Sequence, residues 1–139
     1  MRERHIRVTR SARYFTLGDA AASTTELWLV THGYGQLAGE FLRAFTVLDD
    51  GSRLIVAPEA LNRFYVVPVA HTQAADRPVG ATWMTREDRE NEIADYVDFL
   101  DAVYRESALG AAHVTALGFS QGVATACRWA AMGNSRVDR

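Results

Sequence analysis

Lysine is missing from this 139-residue sequence, and all fifteen basic residues are arginine. A lysine Schiff base and a phosphate-loop lysine are thereby excluded as chemistry. Cysteine occurs once, at Cys127, so neither an internal disulfide nor a multi-cysteine zinc site can form within the chain. A small, buried, apolar role is expected of it. An excess of positive charge is lacking as well. Fifteen arginines stand against seventeen acids, a net charge of -2, and nothing favours nucleic acid as a partner. No run approaches the roughly 18 apolar residues of a membrane helix. Met1 to Arg10 alternates charged with apolar residues and forms no leader-like stretch, so the cytoplasm is the default location. With 48% hydrophobic and 23% charged residues the composition is that of a single globular domain.

The patterning alternates short buried runs with amphipathic ones. Ile6 and Val8, then Tyr14, Phe15 and Leu17 before the turn pair Gly18 and Asp19, predict two short antiparallel strands. Leu27 to Thr31 predicts a strand buried on both faces, closed by the tight loop His32, Gly33, Tyr34, Gly35. Leu37 to Leu48 has apolar positions at helical spacing, with Gly51 as the expected cap. Leu54 to Ala57 predicts a further strand stopped by Pro58. Glu59 to Met84 shows no clear period and reads as a long irregular segment. Thr85 and Asp88 suggest a capping box, and Ile93, Tyr96, Val97, Leu100, Val103 and Tyr104 trace one face of a long helix. Asp95, Asp98 and Asp101 are its expected solvated side. Ala111 to Phe119 returns to a strand and Gln121 to Met132 to a helix ended by Gly133 and Asn134. The expected class is α/β, a mostly parallel sheet with helices on both faces.

Gly118, Phe119, Ser120, Gln121 and Gly122 spell G-x-S-x-G between a predicted strand and a predicted helix. A nucleophilic serine needs a sharp turn that lifts its hydroxyl off the sheet, and flanking glycines let neighbouring backbone pass without a Cβ clash. The helix that follows aims free N–H groups at a reacting carbonyl. The earlier loop closes a buried strand where a second oxyanion donor is needed. The expected donors are the backbone amides of Tyr34 and Gln121, with Gly33 and Gly35 shaping the loop. His32 is expected to orient that loop and not to act as a base.

The runs LWLVTHGYGQ, LIVAPEAL, GATWMTREDRENEIADYVDFLDAVY and ALGFSQG together resemble the phospholipase/carboxylesterase branch of the α/β-hydrolases, over roughly Arg4 to Arg139. The resemblance implies a serine esterase acting on a small-molecule ester or thioester, with Ser120 as nucleophile, Tyr34 and Gln121 as oxyanion hole, and neither metal nor cofactor. Trp83 resembles a residue near the acyl-binding entrance, a position where a plain core tryptophan is equally common.

The departures matter too. The expected triad order is Ser, Asp or Glu, then His, yet Asp138 is the one acid after Ser120 and no histidine follows. Upstream, His5 falls in the first predicted strand, His113 at the strand end opposite the elbow, and His71 in the irregular segment; Glu59 follows Pro58 at a strand end. None makes a convincing triad. The sequence therefore reads as a single, incomplete α/β-hydrolase domain over residues 1–139, truncated after the elbow helix and almost inert alone. The alternative is an incompetent half-domain that acts by association. An uncovered edge on the strand leading to Ser120 would favour self-association.

Overall fold

Leu27, Leu29 and Val30 are almost wholly shielded from solvent although neighbours in the chain, which requires cover on both faces of their strand. The computed structural model supplies that cover, and describes residues 1–19, 24–67, 77–108, 110–111 and 113–139. Its elements are β1 (Tyr14–Leu17), β2 (Glu26–Thr31), α1 (Ala38–Leu42) running into a 3-10 segment (Arg43–Leu48), β3 (Arg53–Pro58), β4 (Asn62–Tyr65), β5 (Val79–Thr82), α2 (Arg89–Ser107), β6 (His113–Gly118) and α3 (Gln121–Met132).

The main sheet has the order β1-β3-β2-β6. β2 pairs in parallel with β3 and with β6, and β1 joins antiparallel to β3. The three buried runs are thus adjacent parallel strands, as their patterning predicts. Leu27, Leu29, Leu54, Val56 and Val114 face a core shared with α2 and α3, while Val30, Ile55 and Ala57 face Ala38, Leu42 and Phe45 on the other side. Parallel pairing joins strands through crossovers, which is what places helices on both faces.

Several expectations fail for local reasons. Residues 1–13 form no strand; Ile6 and Val8 are exposed, and Arg7 lies 3.4 Å from Asp98 of α2. The helix expected over Leu37 to Leu48 tightens after Leu42, where the Thr46 hydroxyl donates to the Arg43 carbonyl at 3.0 Å and adjoining β-branched residues weaken the α form. Gly51 takes its positive φ of 78° in the turn into β3, not at a helix end. The irregular segment contains β4 and β5, paired antiparallel; His71 lies outside the described residues. Thr85 and Asp88 form no capping box, because α2 starts directly after Asp88 and the Thr85 hydroxyl accepts the Glu87 amide instead.

Two side chains sit opposite to expectation. Cys127 is exposed, since the buried stripe of α3 runs through Gly122, Thr125, Ala126 and Trp129. Asp101 is buried, facing α3 beside Leu100, and accepts from Trp129 Nε1 at 2.8 Å, the Asn134 amide at 2.7 Å and the Ser135 hydroxyl at 2.6 Å. The far edge of β6 is partly occupied: Ala116 N donates to Arg139 O at 2.7 Å and Asp138 N to Val114 O at 2.8 Å. Among the described residues, no helix is long and apolar enough to cross a membrane.

Candidate active site

Ser120 stands exposed on the turn between β6 and α3, with φ 51° and ψ -117°. A non-glycine residue with that backbone is strained, and the chain around it is built to hold the turn. A Cβ on Gly122 would overlap the Thr31 carbonyl oxygen and come within 2.7 Å of the His32 carbonyl; one on Gly118 would run into Gly122 and lie 2.5 Å from Val123 Cα. Both approaches are backbone to backbone, so only glycine fits. Phe119 N donates to Thr31 O at 3.0 Å, and the Thr31 hydroxyl donates to Gly122 O at 2.9 Å. The end of β2 is therefore sewn to the first turn of α3.

The loop after β2 comes against the same serine. A Cβ on Gly33 would stand 3.2 Å from Ser120 Cβ and 3.0 Å from Phe119 Cδ1. The Gly33 amide donates to Gln36 Oε1 at 2.7 Å, and Gly35, at φ 76°, donates its amide to Ala81 O of β5 at 2.9 Å. Among the described residues neither Tyr34 N nor Gln121 N has a backbone acceptor. The Tyr34 ring, 61% exposed, stacks on Phe64 with centroids 5.0 Å apart. The Gln121 side chain accepts from Trp83 N at 3.1 Å and donates to Met84 O at 2.9 Å, fixing the start of α3 against the end of β5.

His32 is buried with both ring nitrogens engaged. Nδ1 donates to Gly33 O at 2.8 Å and Nε2 accepts the Ala60 amide at 3.1 Å. That pattern needs the neutral Nδ1–H tautomer. Burial pushes the imidazole below its ordinary value, outweighing the Gly33 hydrogen bond and the nearby Glu59 charge. The His32 carbonyl accepts from Trp83 Nε1 at 2.8 Å, and Trp83 itself is core. Glu59 is buried; its Oε1 accepts from Arg13 Nε at 2.8 Å and Arg63 Nε at 2.6 Å, and its Oε2 from the Ala38 amide at 3.3 Å.

Of the remaining histidines, His113 opens β6 at the end away from Ser120, and His5 lies 3.0 Å from Glu3 and 3.4 Å from Asp88. Among the described residues no imidazole or carboxylate bonds to the Ser120 hydroxyl. Sequence reasoning did not anticipate the Thr31 and Gln36 side chains as braces of these turns. Only their position within two residues of a motif glycine marks them.

No known family model matches this sequence, and no curated protein matches it. Solved structures do. The crystal structure of esterase PE8 is similar with a TM-score of 0.55 at 20% identity, covering 85% of this chain and 56% of its own. That of Zea mays acyl-protein thioesterase 2 gives 0.56 at 15% identity, covering 84% and 49%. The fold is that of the α/β-hydrolases. The chain spans about half the length of each of these two solved structures.

Proposed function

We propose that Ser120 is the nucleophile of a serine hydrolase of the carboxylesterase type, acting on a carboxylic ester or thioester. The observation that carries this reading is the strained Ser120 turn with the Gly33 backbone against it. In the proposed reaction Ser120 Oγ bonds to the acyl carbon, and the oxyanion is met by the Tyr34 and Gln121 amides. The bond to the alcohol or thiol then breaks, and water releases the acid from the acyl-enzyme. The hydroxyl proton needs a base, and among the described residues none is assigned that role. A second reading is supported by the lack of any imidazole or carboxylate bonded to Ser120 among those residues: a half-domain that is catalytically incompetent and acts by association.

Hydrolysis of short p-nitrophenyl esters by the 139-residue chain and by Ser120→Ala separates the two. A serine site without its histidine retains on the order of a thousandfold over water from oxyanion hole and binding, and that remainder does not need the serine, so slow turnover above the water rate is expected in both proteins. Rates no higher than in water overturn the hydrolase reading, and fast turnover that vanishes in Ser120→Ala would reveal a base that completes the site. Sedimentation as a defined oligomer would then favour association.

A further inference from the structure

Two consecutive residues anchor both ends of the stretch from His32 to Ala38. Ala60 N donates to His32 Nε2 at its start, and Glu59 Oε2 accepts the Ala38 amide at its end. Between the anchors lie Gly33, packed against Ser120, and Tyr34. The Glu59 carboxylate is out of contact with water. Burial pushes its pKa up, but the hydrogen bonds and charges of Arg13 and Arg63 more than offset this, and the carboxyl stays below its ordinary value. Well-packed apolar residues commonly stabilise as well as a buried charge of this kind, whereas removing one partner leaves the others uncompensated.

We propose that Glu59 is a positioning residue for the oxyanion hole, holding the start of α1 and thereby the loop that presents the Tyr34 amide to Ser120. The inference rests on the serine-hydrolase reading. Three donors converge on the carboxylate from two sides, the arginines on one oxygen and the Ala38 amide on the other. A glutamine keeps the shape, yet its NH2 end must face donors on one of those sides. With the NH2 end turned to Ala38, the loop would keep its His32, Gln36 and Gly35 contacts and lose the one at the start of α1.

The test is the kinetics of Ser120 phosphonylation by a fluorophosphonate, with thermal unfolding measured in parallel. In Glu59→Gln the maximal labelling rate should fall by about tenfold to a hundredfold, the scale of a 1 Å misplacement, with the half-saturating probe concentration almost unchanged. Glu59→Asp, which keeps the charge, should recover part of the loss. A purely structural role would lower the melting temperature and leave the rate of the folded protein intact; that result overturns the inference while the hydrolase reading stands. A wild-type chain that takes no label at Ser120 overturns both. If Glu59→Gln does not fold, Arg63→Gln removes one partner at a half-exposed guanidinium, and an unchanged labelling rate there also refutes the positioning role.

Discussion

The hydroxyl of Thr31 donates to the carbonyl oxygen of Gly122 at 2.9 Å, across a gap that leaves no room for a Cβ on the glycine. This single approach joins the last residue of β2 to the first turn of α3, and it fixes how close the loop after β2 comes to Ser120.

Gly122→Ala should accordingly be among the most damaging small substitutions in the chain. The added methyl meets backbone on both sides, which cannot rotate away, and a loss of about 3 kcal/mol or more is expected where overpacking has no outlet. Urea unfolding measures it. A change below about 0.5 kcal/mol, the range of an ordinary surface substitution, would contradict the packing described.

Replacing Ser120 by glycine should raise stability. The φ of 51° with ψ of -117° strains any residue with a Cβ, and its release is worth about 1–3 kcal/mol, less some 0.5–1 kcal/mol for glycine's extra freedom when unfolded. Ser120→Ala keeps the Cβ and should show no such gain. Thermal melts of the two variants side by side decide it.

The three parallel runs and the elbow were legible in the sequence because each is short, apolar and punctuated by glycine or proline. Where patterning failed, a tertiary partner had taken over. Asp101 reads as a third solvated acid beside Asp95 and Asp98, and only the arrival of Trp129, Asn134 and Ser135 from the end of α3 makes it a buried acceptor. β4 and β5 have four residues each, too few to show a period, and exist by pairing with one another. Of the candidate site, the serine and its glycines stand out locally. The support from Glu59 does not, because Arg13 and Arg63 lie 46 and 4 residues away in the chain.

Asp101→Ala should cost about 1–3 kcal/mol for each donor left buried without a partner. Trp129 Nε1 is the most enclosed of these, so Asp101→Ala combined with Trp129→Phe should lose less than the sum of the single variants. A double-mutant cycle by chemical unfolding gives the coupling; strict additivity would mean that the contact does not matter energetically.

Stability should also fall on mild acidification, with His32 as the cause. Burial holds the folded imidazole below its ordinary value of 6.5, so as pH drops past that value the unfolded chain takes up a proton that the folded chain refuses. The contribution is present in full above about pH 7 and declines until the folded value is reached. His32→Gln should flatten that limb of the curve of unfolding free energy against pH. Glu59 and Asp101, both held below their ordinary carboxyl values, extend the loss further as pH falls below about 4.5. Equal slopes for wild type and His32→Gln between pH 5 and 7 would rule His32 out.

The outward-facing thiol of Cys127 makes the protein unusually convenient to observe. It is the one cysteine of the chain, and it rides on the helix that Ser120 opens, seven residues or about 10 Å along the axis. Maleimide chemistry can therefore install a single fluorophore or spin label without removing any other thiol. With no lysine in the chain, amine-directed reagents meet no side chain here, so a thiol label beside the elbow can be combined with them without cross-reaction along residues 1–139.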